Sequence, residues 1–157
     1  MGEAFFYHLT RQPLEATLAV LLEKCLARPW RVAVRGRTDA TLDRLDSQLW
    51  LGEGFLPHGR AGGPHDADQP VLLTLGAAAN APDVLVSVEG AEVSAGEAEA
   101  HARVMILFDG HDPGAVEAAR AQWRTLTGAG LPAKYWSEAS GRWAMQAQSG
   151  VQTPERD

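Results

Sequence analysis

Few residues of this chain could do metal or acid–base chemistry, and the densest group follows one apolar run. Asp109, His111 and Asp112 come directly after residues 103–108, and α/β proteins often bind ligands at the carboxyl ends of buried strands. These three residues could hold a metal. Asp112 precedes a proline, however, as a helix N-cap does, and Asp109 followed by glycine is an ordinary turn. The structural interpretation is favoured, because nothing elsewhere completes a set of ligands.

Other reactive side chains lack the neighbours that catalysis needs. His58 and His65 lie in a glycine-rich stretch without cysteines, and Cys25 lies on the apolar stripe of a predicted helix, as a packed thiol would. No serine has a nucleophile-elbow setting. The turns after the first two predicted strands carry neither a phosphate loop nor a dinucleotide fingerprint. The sequence therefore predicts no catalytic constellation, no metal and no cofactor.

One predicted helix carries candidate binding residues beside its apolar stripe. Four residues recur at helical spacing and are expected to face the core: Val116, Ala119, Trp123 and Leu126. Arg120 and Arg124 lie one turn apart on the flank beside Trp123. This flank is either a half-buried tryptophan with two solvated arginines, or a site for an acidic peptide with an apolar end. In the second interpretation the guanidiniums pair with carboxylates in bidentate fashion.

A second candidate surface lies at residues 46–58, where an amphipathic helix runs into a glycine-broken loop. This stretch contains Trp50, Phe55, Leu56 and Pro57 in quick succession. Surface loops are usually polar, and clustered exposed apolar groups usually mark an interaction site. The loop must either pack its apolar groups under the domain or offer them to a partner.

Length, composition and charge set the class of protein. The chain has 157 residues, which predicts one domain with an ordinary core, and a single cysteine, which suits a reducing compartment. A net charge of −6 argues against broad, phosphate-driven nucleic-acid binding, although it does not exclude a local basic patch. No apolar run is long enough to span a bilayer, and the start lacks a signal-peptide pattern. We expect a soluble cytoplasmic protein.

Strands and helices alternate along the chain. The predicted strands are residues 4–9, 30–35, 70–75, 83–88 and 103–108, with a final pair of strands or a hairpin at 131–137 and 142–145. The predicted helices run from Pro13 to Arg28, from Thr38 or Asp39 to Gly52, and from Asp112 to Gly128. Residues 59–69 are predicted to be mobile, and residues 89–99 irregular or a weak helical turn. This pattern predicts an α/β domain over residues 1–147, with a sheet covered on both faces and a disordered tail at 148–157.

Several stretches, in order, make the chain resemble the chi subunit of bacterial DNA polymerase III, a clamp-loader accessory subunit. They are the aromatic residues 5–7, then residues 44–50, 55–58 and 82–87, and the helical residues 119–124 followed by Ala129-Gly130. The resemblance implies a single three-layer domain with a largely parallel or mixed sheet. Its topology would be similar to that of Rossmann and P-loop domains, without a phosphate loop. It also implies no catalysis in this chain, although the family serves within a DNA-directed DNA polymerase (nucleotidyltransferase) holoenzyme.

The resemblance further implies partners and their sites. Chi subunits bind the acidic, Phe-ended C-terminal tail of single-stranded-DNA-binding protein, and they join the clamp loader through the psi subunit. The matching positions of the tail site are Arg120, Trp123 and Arg124. Those of the psi-facing surface are Trp50, Phe55, Leu56, Pro57 and His58. Nucleic acid would then be contacted only indirectly, and no membrane is involved. One departure is Val116, where the family often has a further lysine.

Alternatives stay open at this point. Without a psi subunit, the psi-facing surface would pack on itself, on a second copy or on another partner such as a helicase. The chain would then be a homodimeric α/β interaction domain if a second copy covers that surface. A small metal- or nucleotide-dependent enzyme that uses Asp109, His111 and Asp112 is the remaining alternative.

Overall fold

The structure, a computed structural model, describes residues 2–11, 13–51, 57–137 and 144–149. Within these residues it contains strands β1 (Ala4–Leu9), β2 (Val32–Arg35), β3 (Gly59–Arg60), β4 (Val71–Thr74), β5 (Val84–Ser87), β6 (Arg103–Asp109), β7 (Ala133–Ser137) and β8 (Ala144–Ser149). The helices are α1 (Leu14–Ala27), α2 (Asp39–Leu51), α3 (Ala95–Ala100) and α4 (Pro113–Gly128), with a short 3-10 helix at Asp66–Asp68. No helix in this part of the chain is long and apolar enough to cross a bilayer.

The strands form one sheet in the order β3-β4-β2-β5-β6-β1-β7-β8. Every neighbouring pair from β3 to β7 is parallel, and β8 pairs antiparallel to β7 at the far edge. Helices pack on both faces, since parallel neighbours need crossover connections that cover the sheet. The predicted α/β class, with a largely parallel sheet between two helical layers, is confirmed.

The first face of the sheet is covered by α1 and α2. Their apolar stripes bury against alternate residues of the strands, among them Leu9, Val32, Val34 and Leu107. The stripe residues are Leu18, Leu21, Leu22 and Cys25 of α1, and Leu42, Leu45 and Leu49 of α2. Both helices follow the predicted stripes, because local spacing of 3.6 residues per turn sets which side chains share a face.

The second face is covered by α3 and α4. Ala98 of α3 and Ala119 and Leu126 of α4 lie in one core cluster with strand residues of the opposite parity. The strand residues in that cluster are Ala4, Phe6, Ala33, Leu85, Val104, Ile106, Phe108 and Ala133. Strands β4 and β5 are buried along their whole length, which explains their continuous apolar runs.

Residues 59–69 contain more structure than the sequence predicted. Gly59 and Arg60 form β3 by pairing with Leu72 and Leu73 of β4. Arg60 donates to Asp39 and Asp43 of α2, so the added strand is tied to the first helical layer. Two residues are too short for a periodicity signal, which is why the sequence indicated a connection without elements.

Helix α3 covers the end of residues 89–99, which were predicted to be irregular or a weak helical turn, and continues to Ala100. Ser94 and Glu97 form a reciprocal capping box, in which the Ser94 side chain accepts from the Glu97 N–H and the Glu97 carboxylate accepts from the Ser94 N–H. Strand β8 also continues to Ser149, two residues into the predicted tail. Residues 142–143 of the predicted last strand, and 150–157 of the tail, lie outside the described residues.

Candidate functional site

Helix α4 positions the first group of predicted site residues. The helix begins where predicted, because the Asp112 carboxylate accepts from the N–H groups of Gly114 and Ala115 at 2.9 and 3.3 Å and proline occupies the first turn. Ala119 and Leu126 anchor its inner face in the core. Trp123 is half-buried on the flank.

Trp123 is held in an aromatic cluster between α4 and the sheet. Its ring meets Phe6 of β1 edge-on at 5.3 Å between centroids, and Tyr135 of β7 at 6.1 Å. Edge-to-face pairs at these distances stabilise a fixed ring geometry. The Thr127 hydroxyl donates to the Trp123 carbonyl at 2.7 Å. The tryptophan is therefore a fixed wall, one edge of which reaches solvent.

Tyr135 completes the group and was missed by the sequence interpretation. Its hydroxyl hydrogen-bonds to Nδ1 of His8 at 2.8 Å, and its ring lies 5.9 Å from that of Phe108. Burial raises the pKa of Tyr135, although the charge of Arg120 lowers it in part. The structure thus brings Trp123 and Tyr135 together where α4 meets β7, and Arg120 lies one turn before Trp123 on the same helix.

The Arg124 guanidinium, on the same helix, is exposed to solvent and only weakly paired. It forms an ion pair with Glu117 at 3.8 Å, and the two side chains are 65% and 67% exposed. An ion pair that is so long and so exposed contributes little. Arg120 is likewise exposed. The flank therefore combines two solvent-facing guanidiniums with an aromatic wall, an arrangement that both interpretations of this helix predicted.

The end of α2 carries the second predicted surface. Trp50 is 53% exposed and Leu51 is 77% exposed, which is unusual for large apolar side chains that are adjacent in sequence. Pro57 is partly buried. Phe55 and Leu56 lie outside the described residues. Leu51 was not predicted, although its position off the stripe of Leu42, Leu45 and Leu49 is a signal that would have found it.

His58 differs from the prediction that it contacts a partner. Its side chain is fully buried, its Nε2 lies 2.9 Å from a carboxylate oxygen of Asp46, and its ring centroid lies 4.4 Å from that of Trp50. The imidazole therefore packs against the Trp50 ring at a tilt of 38° and is bound to Asp46 of α2. We correct its role from a contact residue to a support that orients the exposed tryptophan.

The carboxyl ends of the parallel strands open a cleft of about 910 Å³ between the loops after β1 and β6. Its lining includes Asp109, His111 and Asp112. Asp109 accepts from the His111 N–H at 2.9 Å, Nε2 of His111 lies 2.8 Å from the Thr10 carbonyl, and Asp112 caps α4. No group of His, Cys, Asp and Glu in the described part of the chain has a metal-binding arrangement. The geometry does not support the metal alternative.

An internal carboxylate occupies the helix N-terminus at this cleft. Glu89 accepts from the N–H groups of Arg37 and Thr38 at 2.7 and 3.1 Å, and from the hydroxyls of Thr38 and Thr41 at 3.0 and 2.8 Å. Burial alone would raise the pKa of Glu89, but these hydrogen bonds outweigh it and lower that pKa. Helix N-termini attract phosphates, but at the start of α2 the Glu89 carboxylate already accepts from these N–H groups.

The comparison with protein families identifies a family to which the chain is similar. The model described as "DNA polymerase III chi subunit, HolC" matches residues 1–134 of the chain. None of the curated proteins matches. The matched range contains the end of α2 and all of α4, and it stops one residue before Tyr135.

Proposed function

The chain belongs to the DNA polymerase III chi subunit family, and from this premise we propose that it is a non-catalytic link between the clamp loader and coated single-stranded DNA. As a chi subunit it is an accessory subunit of DNA polymerase III, associated with the holoenzyme in DNA replication. The proposed link has two ends. The flank of α4 binds the C-terminal tail of single-stranded-DNA-binding protein, and the end of α2 binds the psi subunit.

The observation that carries the tail assignment is the juxtaposition of two exposed arginines with a fixed aromatic wall. Arg120 and Arg124 would pair with carboxylates of the acidic tail, and charge-assisted pairs of this kind are the stronger hydrogen bonds of proteins. Trp123 and Tyr135 would contact the terminal aromatic side chain. Burial keeps the Tyr135 phenol protonated, so it adds no negative charge that would repel the tail.

The end of α2 suits an apolar partner. Trp50 and Leu51 present adjacent apolar side chains to solvent, and exposed aromatic anchors of this kind dominate many interfaces. The ring contact with His58 would restrict the tryptophan before binding, which reduces the conformational entropy that association costs. Where no psi subunit exists, a second copy of the chain or a helicase would cover the same pair.

The first experiment measures tail binding by fluorescence anisotropy with a labelled acidic peptide ending in Pro-Phe. We expect saturable binding that weakens with salt and is lost when the terminal Phe is removed. The double change Arg120→Glu and Arg124→Glu should weaken binding by about tenfold or more, because it replaces attraction of the tail's carboxylates by repulsion. The folded state is checked by circular dichroism.

The matched control changes the same number of charges on the opposite face of the sheet. Lys24→Glu with Arg28→Glu alters the net charge equally and should leave tail affinity close to that of the natural chain. The assignment is wrong if tail affinity survives the change at Arg120 and Arg124, or if both double variants lose it equally. In the second case net charge alone would account for binding.

A further inference from the structure

Cations and aromatic rings meet on the sheet face opposite to α4. Phe6 points into the α4 layer, so its neighbour Phe5 points to the α1 side. Lys134 is the register partner of Phe5 on β7. On β6, Arg103 lies two residues before Met105, the register partner of Phe5 on that strand. Three adjacent strands therefore place Arg103, Phe5 and Lys134 on one face.

The cations are held over the rings. The Arg103 guanidinium carbon lies 4.2 Å from the Phe5 ring centroid and 5.2 Å from that of Trp30. Arg28 lies 4.8 Å from the Trp30 centroid, and the Lys134 ammonium 5.6 Å from that of Phe5. These are cation–π distances. We name this group, with Lys24 at its border, the basic–aromatic surface: Phe5, Lys24, Arg28, Trp30, Arg103 and Lys134.

The surface is basic in a chain whose net charge is −6. Glu3 pairs with Arg103 at 3.0 Å, so Arg103 organises the rings while Lys24 and Arg28 present exposed charge. Between them opens a cleft of about 190 Å³, whose lining includes Tyr7 and Cys25. Burial raises the pKa of Tyr7 to about 12 and raises the pKa of Cys25, although Arg103 opposes both shifts. Neither group puts negative charge into the cleft.

We propose that the basic–aromatic surface binds single-stranded DNA directly. Lys24, Arg28 and Lys134 would neutralise phosphates, which is the main source of affinity for nucleic acid. The Arg28 guanidinium covers Trp30 with one side and can stack a nucleobase on the other, as guanidinium planes do in complexes with unpaired strands. A base is available for such stacking in a single strand but not in a duplex, and a strand of DNA is the polyanion at which a polymerase III subunit works.

This activity goes beyond the tail-binding role and does not depend on it. The basic–aromatic surface lies on the α1 side of the sheet, and Arg120 and Trp123 lie on the α4 side. A tail and a strand can therefore be held at the same time. The chain would then touch the DNA that its protein partner coats.

The test measures anisotropy of a labelled oligothymidylate with the full chain over a range of salt concentrations. With three participating cations, the slope of log affinity against log salt should be roughly −2, since each phosphate contact on a single strand contributes about −0.7. Lys24→Gln with Arg28→Gln should lower affinity by about tenfold and reduce the slope to roughly −0.7. Both side chains are exposed, so the fold should be unaffected. Arg28→Lys should leave the salt slope unchanged, because the positive charge is kept. It should bind more weakly, because lysine lacks the planar guanidinium that would stack on a nucleobase.

The controls separate this site from the tail site. Arg120→Glu with Arg124→Glu should leave oligothymidylate affinity within about twofold, and unlabelled tail peptide should not displace the oligonucleotide. The proposal is overturned if the Gln variant binds as the natural chain does, if tail peptide competes, or if a duplex with the same number of phosphates binds as tightly. If the natural chain bound the oligonucleotide but not the tail peptide, the tail assignment alone would be wrong and the proposal for the basic–aromatic surface would stand.

Discussion

At the residue scale, the proposed tail site depends on contacts made beneath it. The Tyr135 hydroxyl is bonded to His8, and His8 packs at 5.1 Å between ring centroids against Phe108. Gly110 lies directly against the His8 ring, because its N–H donates to the Leu9 carbonyl at 2.7 Å as the chain leaves β6. A side chain at this glycine would push on the histidine that positions the tyrosine.

Gly110→Ala tests this dependence. The added methyl group would overlap the His8 ring and approach the Leu9 carbonyl oxygen to 2.9 Å, so we expect a loss of roughly 1–3 kcal/mol of stability from overpacking. Tail affinity should fall as well, because Tyr135 loses its partner. Urea unfolding and peptide anisotropy measure the two effects.

Gly128→Ala is the matched control for that change. Gly128 is the last residue of α4, and a methyl group added there would have no atom within 4 Å. Because alanine favours helix, it should stabilise the chain by roughly 0.4–1 kcal/mol. Unchanged stability in Gly110→Ala would show that His8 can move aside at no cost, and the proposed support of Tyr135 would be wrong.

At the element scale, a bidentate ion pair joins β2 to α3. Arg35 donates to both carboxylate oxygens of Glu97, at 3.1 and 2.7 Å, and to the Glu92 carbonyl at 2.9 Å. The Arg35 side chain is only 11% exposed, whereas that of Glu97 is 39% exposed. Hydrogen bonding to Arg35 lowers the pKa of Glu97 to about 2 against the counteracting effect of burial. This pair holds a helix of six residues that could not be stable alone.

Glu97→Gln should therefore destabilise the chain by about 1–2 kcal/mol at neutral pH, since it leaves a largely buried guanidinium without its carboxylate. The pKa of Glu97 is lower when folded, at about 2, than the ordinary 4.5. The ionised carboxylate thus contributes fully above pH 4.5, and its contribution is lost as the pH falls towards 2. Urea unfolding across that range should show the two chains converging at the acid end.

Glu99→Gln removes the same charge from the same helix and is the control. Glu99 is exposed, so its substitution should change stability by less than about 0.5 kcal/mol at any pH. A difference between the natural chain and Glu97→Gln that stays constant down to pH about 2 would mean that something other than the ionised pair causes it.

At the scale of the whole molecule, the sheet separates the proposed surfaces. Helices α1 and α2 cover one face and α3 and α4 the other, so the end of α2 and the flank of α4 share no residues. Sites that are far apart and share no partners behave additively. If both proposed surfaces bind partners, the domain would act as a spacer between them, and binding at one surface should not alter affinity at another.

Trp50→Ala with Leu51→Ser tests this independence. The double variant should lose co-purification with the psi subunit, or any self-association that light scattering detects in the natural chain, because it removes the exposed apolar pair. Tail affinity should stay within about twofold. A larger change in tail affinity would contradict the spacer interpretation.

Leu75→Ser provides the comparison for that variant. Leu75 follows β4 and is 46% exposed. Its replacement by serine is therefore a similar apolar-to-polar change at an exposed position away from α2. Partner binding and oligomeric state should both be unchanged. If this variant also lost its partner, the apolar pair at α2 would not be a specific interface.

The sequence indicated most of the elements, because helix and strand signals are local. The apolar stripes of α1, α2 and α4 and the buried run of β6 were predicted within a few residues of their bounds. Strand β3 and helix α3 were missed as elements because they are too short for a periodic pattern. The flank of Arg120, Trp123 and Arg124 was also predicted, since positions on one helix follow from spacing alone.

The sequence by itself thus determined the α/β class, the helix that carries the arginines and the apolar end of α2. Only the tertiary structure decided the order of the strands, and with it every contact between distant segments. Tyr135 and His8 are 127 residues apart in sequence, and Arg103 and Glu3 are 100 apart. Their side chains meet because β6 and β7 flank β1 in the sheet. Sheet order is set by the packing of all layers together, so no local pattern of residues encodes it.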